Sequence, residues 1–219
     1  MKKASIRSID TPHGEGRLHT RRATRPIATL LLSHGAGGGV ESRDLWALAD
    51  ALPAQGVSVV LFEQPWRVAG RKVATAPPTL DAALTCAADA MRVRTPLVVG
   101  GRSAGARSAA RTARFLGASG CLALSFPLHR PGQTEPTRLP ELASVGLPTL
   151  VVQGERDPMG RPEEFPGHLG LDMVVIPGGD HGLKVPARGE VSQDEAMGIV
   201  VESTLEWLVR EVVGNPRGG

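Results

Sequence analysis

Tyrosine is absent from this chain, and the remaining aromatics are four Phe and three Trp in 219 residues. A core here has to be built from Leu, Val, Ile and Ala. Cysteine is limited to Cys86 and Cys121, which fall in separate predicted elements; this excludes a disulfide framework and leaves two free, buried thiols as the expectation. No Cys/His cluster has ligand spacing, so neither a metal nor a cofactor is expected. No apolar run approaches the roughly 18 residues of a membrane span. Met1-Lys2-Lys3 leads into Ala-Ser-Ile-Arg-Ser without an apolar h-region, so neither a secretory leader nor a membrane partner is expected, and the expected location is cytoplasmic. Lysine is scarce (Lys2, Lys3, Lys72 and Lys184), and the Arg bias fits a GC-rich coding sequence. The net charge of +3 is mild. The cluster Arg17, Arg21, Arg22 and Arg25 lacks aromatic interleaving and reads as a solvated face, so no nucleic-acid partner is expected.

What the chain does have is turn-forming residues, 27 Gly and 18 Pro, and a steady alternation of strand and helix signals. Ser5–Ile9 and Gly16–Thr20 flank a Thr-Pro-His-Gly turn and predict a hairpin. Continuous apolar runs at Ile27–Leu32, Val57–Phe62, Leu97–Val99, Cys121–Ser125, Thr149–Gln153 and Asp172–Ile176 predict buried strands. Helical spacing covers 44–54, 80–93, 104–116 and 195–213, with a turn or two at 139–145. The stretch 63–78 reads as a loop. A sheet whose strands are apolar throughout is covered on both faces, which implies a mostly parallel α/β architecture. The length suits a single domain over 1–219, burying roughly 70% of its unfolded surface. Ligands of such sheets bind beyond the carboxyl ends of the strands. The loops after Leu32, Phe62, Gly100, Ser125, Gln153 and Ile176 should therefore converge.

Chemistry concentrates in those loops. Gly101-Arg102-Ser103-Ala104-Gly105 fits the G-x-S-x-G strand-to-helix turn, in which glycines spare a clash and the serine hydroxyl stands above the sheet edge. A hydroxyl needs an imidazole to take its proton and a carboxylate to orient that imidazole. Asp157 follows one predicted strand and His181 follows the last, giving the order Ser, Asp, His. Asp180 is a rival carboxylate, expected instead to shape the turn. His13, His19, His34, His129 and His168 compete with His181 but do not follow the final strand. Oxyanion donors are expected at the Ala104 N–H and in His34-Gly-Ala-Gly-Gly, with Ala36 favoured and Gly37 second. A phosphate cradle is the alternative use of such a loop, but no G-x-x-x-x-G-K-[ST] or dinucleotide fingerprint accompanies it. Trp66, Arg67, Arg102 and His129 are candidate substrate-binding residues, the arginines for a carboxylate or phosphate. Glu63 and Arg71 lie beside them, Glu63 expected to pair with one of the arginines. The only room for a lid is Phe126–Pro148, whose prolines suggest a fixed wrap.

Gly100-Gly-Arg-Ser-Ala-Gly-Ala-Arg107, His34-Gly-Ala-Gly-Gly, Glu63-Gln-Pro-Trp-Arg-Val-Ala-Gly and Gln153-Gly-Glu-Arg-Asp157 together resemble the α/β-hydrolase-like family of testis-expressed protein 30 and NSL-complex subunit 3, with this chain as a bacterial member. The resemblance runs from about Ile27 to His181. It implies an α/β-hydrolase fold without a large cap domain and the triad Ser103, Asp157, His181. It says little about substrate. Dienelactone hydrolases are more broadly similar but use a cysteine nucleophile where this chain has Ser103.

The expectation is a serine hydrolase of a small ester or thioester, acting through an acyl-enzyme, as monomer or homodimer. The alternative is a hydrolase-fold binding module without turnover, since some relatives act as components of chromatin complexes.

Overall fold

The computed structural model describes residues 4–133 and 135–214; the Met1-Lys2-Lys3 stretch read for a leader lies outside them. Eight strands form one sheet in the order β1-β2-β4-β3-β5-β6-β7-β8. β1 (Ser5–Thr11) and β2 (Gly14–Arg21) make the expected hairpin, longer than the sequence signals at both ends. β2 also runs antiparallel to β4 (Val57–Glu63). β3 (Ala28–Ser33), β4, β5 (Leu97–Arg102), β6 (Gly120–Leu124), β7 (Thr149–Gly154) and β8 (Asp172–Ile176) are parallel, so their carboxyl ends share one edge.

The apolar runs divide by alternation between two cores. Leu30, Leu32, Val59, Leu61, Val98, Leu122, Leu124 and Val152 face α1 (Arg43–Ala51) and α6 (Gln193–Trp207). Leu31, Val60, Phe62, Val99, Cys121, Ala123 and Val151 face α3 (Pro77–Met91) and α4 (Ala104–Thr112). Each fully buried aliphatic side chain contributes about 1.5–3 kcal/mol, and Trp207, Phe62 and Phe126, the largest side chains fully buried, complete the two cores that the aliphatic residues were expected to fill. Cys121 lies in the second core, where burial pushes its thiol up to about 12. It and the half-buried Cys86 are both free.

Departures from the expected elements have local causes. α3 starts at Pro77-Pro78 because proline is favoured in a first turn, where its missing N–H costs nothing. α6 starts at Gln193 because Ser192 and Glu195 form a reciprocal capping box; its last turn widens into a π turn over Leu208–Val213. The stretch read as a loop after β4 contains one helical turn, α2 (Pro65–Val68). α4 ends at Thr112, ahead of Gly117 at φ 65.

The wrap after β6 is pinned. α5 (Leu139–Ala143) carries Glu141, which accepts from Arg107 Nε at 2.7 Å and pairs with Arg111 Nη1 at 3.0 Å, both from α4. Among the described residues no helix is long and apolar enough to cross a membrane.

Candidate active site

Ser103 sits between β5 and α4 with φ 53 and ψ −111, a strained conformation for any residue with a Cβ. Its own N–H donates to the Leu124 carbonyl at 2.9 Å, which fixes the turn to β6. The flanking glycines are sterically required. A Cβ on Gly101 would lie 2.4 Å from the Ser33 carbonyl oxygen, and one on Gly105 would lie 2.1 Å from the same atom. Strand, turn and helix can therefore close on β3 only with glycine at both positions.

Ser103 makes no capping bond to its helix, and its hydroxyl lies 2.9 Å from His181 Nε2. His181 Nδ1 lies 2.8 Å from Asp157 Oδ2. A carboxylate only accepts, so Nδ1 carries the proton and the bare Nε2 receives the serine O–H. Asp157 is fully buried, whereas the His181 side chain is 24% exposed. The remaining carboxylate oxygen accepts from the Met159 N–H at 2.8 Å. The loops bearing Asp157 and His181 are laced together by Arg156 N–H to the Gly179 carbonyl at 2.8 Å and Glu155 N–H to the Ile176 carbonyl at 3.1 Å. They approach so closely that a Cβ on Gly154 would lie 2.5 Å from the Asp180 carbonyl. Asp180 itself shapes the turn, as expected, accepting from the Gly182 and Lys184 N–H groups.

The His34–Gly39 loop runs beside the nucleophile. A Cβ on Gly35 would lie 3.3 Å from Ser103 Cβ, and the next two residues, Ala36 and Gly37, form an exposed turn. The Ala104 N–H opens α4, where it has no intrahelical acceptor and stands at the positive end of the helix dipole. The base of the loop is held by His34, which is buried. His34 Nε2 accepts from the Gln64 N–H at 3.1 Å, so its proton sits on Nδ1, 2.9 Å from the Gly35 carbonyl. Burial lowers the His34 pKa and keeps the ring neutral.

The residues expected to line a substrate pocket fall out differently. Trp66 is buried, with its ring edge-on to His34 at 5.3 Å between centroids. Arg67 is half-buried and pairs with Glu41 at 3.1 Å. Arg102 points away from solvent, toward Asp44 and the His181 carbonyl. His129 is buried against Glu164, and its N–H donates to the Met159 carbonyl. Glu63 pairs with His19 at 3.1 Å instead of with an arginine. Arg17 is the residue directly opposite Glu63 in the antiparallel register, but the partner is His19, two residues along the same strand, which nothing local in the sequence indicates.

Two buried glutamines organise the site, a role that nothing in the motifs containing them signals. Gln153 donates to Asp157 Oδ2 and the Gly160 carbonyl, and accepts from the Phe126 N–H. Gln64 donates to Ser33 Oγ and presents its N–H to His34. A pocket of about 460 Å³ opens at the starts of β7 and β8, the opposite end of the strands from Ser103. Ser103 and His181 line neither that pocket nor two smaller ones on the surface. Among the described residues no group of three or more His, Cys, Asp or Glu side chains is placed to hold a metal ion.

An alpha/beta hydrolase domain family matches residues 26–209. The chain belongs to the alpha/beta hydrolase family. No curated protein matches it. Among solved structures it is similar to a lidless α/β serine hydrolase from Xanthomonas campestris, at 18% identity and TM-score 0.71, covering 100% of this chain and 98% of that one. It is also similar to Est1E from Butyrivibrio proteoclasticus, at 16% identity and TM-score 0.72, covering 95% and 100%. A dienelactone hydrolase from Anabaena variabilis matches at 17% identity and TM-score 0.70, covering 95% and 98%. At these identities the likeness is one of fold, and it agrees with the eight-stranded, mostly parallel sheet without a lid.

Proposed function

We propose that this alpha/beta hydrolase is a serine hydrolase of small esters or thioesters, working as a single domain over 1–219 through an acyl-enzyme and without metal or cofactor. The observation that carries the reading is the unbroken chain from buried Asp157 through His181 to Ser103, with contacts of 2.8 and 2.9 Å. Ser103 Oγ attacks the acyl carbon while its proton passes to His181 Nε2. Asp157 holds the ring in the required tautomer and stabilises the imidazolium. The oxyanion is received by the N–H groups of Ala104 and Ala36, with Gly37 the second donor in that loop. His181 then returns the proton to the departing alkoxide or thiolate, and water, deprotonated by the same nitrogen, releases the acid and frees Ser103.

An open, lidless edge favours a water-soluble acyl substrate over a lipid. Est1E, of similar fold, has been seen with ferulic acid bound, which supports small carboxylic acids and their esters as the class to screen. The motifs around Ser103, His34, Glu63 and Gln153 support the narrower kinship with the testis-expressed protein 30 group. The reading includes a cytoplasmic enzyme, monomeric or homodimeric, without nucleic-acid or membrane partners.

The test is covalent labelling with a fluorophosphonate, followed by a screen of short-chain p-nitrophenyl esters and acyl thioesters. Wild type should label and turn over, and Ser103→Ala should do neither. A folded wild type that never labels would favour a binding module on a hydrolase fold.

A further inference from the structure

Arg102 immediately precedes the nucleophile, yet its guanidinium is turned inward. Nε lies 3.1 Å from Asp44 Oδ2, and Nη2 donates to the main-chain carbonyl of His181 at 2.8 Å. The Nη1 side lies against the loop bearing the candidate oxyanion donors: a Cβ on Gly35 would sit 3.5 Å from it. We propose that Arg102 is a positioning residue that locks the His181 loop in register with Ser103, through a fork anchored on Asp44. This rests on Ser103 and His181 acting as nucleophile and base.

The pair is not explained by stability. The Asp44 side chain is 1% exposed and that of Arg102 15%. Burial holds the Asp44 carboxyl above the usual carboxylate range, and Arg102 offsets only part of that rise. A buried ion pair of this kind roughly breaks even against apolar residues of the same size, because desolvation offsets the attraction. What an apolar pair does not supply is direction. The carboxylate is fixed in the first turn of α1, where Oδ1 also accepts the Leu45 N–H at 2.9 Å. α1 packs into the core through Leu45 and Leu48. The guanidinium thus transmits the position of a rigid helix to the peptide that carries the general base.

The neighbouring residue repeats the theme. Arg43 donates to Gln193 Oε1 at 3.0 Å, and Gln193 Nε2 donates to the Leu183 carbonyl two residues beyond His181. The start of α1 therefore grips the base loop at two successive points, the carbonyls of His181 and Leu183. In an open site, with His181 24% exposed, such bracing replaces the confinement that a lid would provide.

A fork is required and a point charge does not suffice. Lysine at 102 keeps the charge opposite Asp44 but has no rigid second arm for the His181 carbonyl. The test compares wild type, Arg102→Lys, and Asp44→Asn combined with Arg102→Met, which leaves no buried charge unpaired. Three quantities are read: thermal stability, the rate of fluorophosphonate labelling at Ser103, and the proton resonance of His181 Nδ1–H, assigned by its loss in His181→Ala.

Arg102→Lys should keep near wild-type stability while labelling slows roughly 10–100-fold, the scale of a small misplacement of a catalytic group. Its His181 resonance should broaden or shift. The double variant should behave alike. If it fails to fold, Arg102→Lys alone decides. Full labelling rate and an unchanged resonance in folded Arg102→Lys would overturn the proposal. A wild type that does not label would sink the hydrolase reading, and the resonance comparison would still decide what Arg102 positions.

Discussion

Gln153 Nε2 donates at 2.9 Å to Asp157 Oδ2, the same oxygen that receives His181 Nδ1–H at 2.8 Å. The glutamine is fully buried, and its amide also satisfies the Gly160 carbonyl at 2.7 Å and the Phe126 N–H at 2.9 Å. One side chain at the end of β7 thereby ties the loop after β6 to the loop that presents the carboxylate.

Gln153→Leu removes these bonds at nearly constant volume. It leaves a buried N–H and a buried carbonyl without partners, each costing about 1–3 kcal/mol. We expect a loss of about 2–4 kcal/mol in urea unfolding, and a fall of roughly 10-fold or more in kcat as Asp157 loses a restraint. Unaltered stability would show that the amide is replaced by water at no cost.

Ser103 pays in backbone strain for its position, and glycine should relieve it. Residues held in such regions cost of order 1–3 kcal/mol, against roughly 0.5–1 kcal/mol for the extra chain entropy of glycine. Ser103→Gly should therefore raise stability by about 1 kcal/mol while abolishing labelling and ester hydrolysis. Loss of activity with loss of stability would mean that the turn at φ 53 is not strained.

The glycines near the site should divide sharply by what surrounds them. A Cβ on Gly105 would lie 2.1 Å from a backbone oxygen, whereas one on Gly37 meets nothing within 4 Å. Gly105→Ala should fold poorly, losing about 3 kcal/mol or more by overpacking against main chain that cannot yield. Gly37→Ala should keep both its melting temperature and its activity. Ala36→Pro deletes an N–H in the same exposed turn; kcat should fall roughly 10²–10³-fold, as for loss of one oxyanion donor. Wild-type kcat in Ala36→Pro would move the second donor to Gly37 or elsewhere.

The strands along the chain and the residues at their carboxyl ends were legible because each carries a strong local signal, whereas the order of the strands in the sheet was not. The apolar runs reflect double-sided burial, and Ser103, Asp157 and His181 each follow one. Side-chain partners across the fold were not legible. Arg102 reads as a free cation in a loop motif, and only the tertiary arrangement brings Asp44 of α1 and the His181 carbonyl to it. Gln153 reads as the polar end of an apolar strand and Gln64 as part of the loop after one, because nothing local reports that a buried carbonyl or N–H from another loop will need an amide. Trp66 reads as a pocket wall for the same reason, although it is buried against His34.

His34 gives the loop beside Ser103 a pH dependence with a defined sign. The ring accepts the Gln64 N–H on Nε2, and protonation there removes the acceptor. Burial lowers its folded pKa below the unfolded value of 6.5. A base whose folded pKa is depressed contributes its full stability above the unfolded pKa; that contribution is lost as pH falls below 6.5, where the unfolded chain binds the proton first. His34→Ala should destabilise the protein most near neutral pH, and the gap from wild type should narrow between about pH 7.5 and about pH 5. Urea unfolding of both proteins across that range measures the difference directly, with the remaining histidines common to both. A gap that stays constant with pH would mean that His34 takes up its proton as readily in the fold as in the unfolded chain, so that burial does not hold the ring neutral.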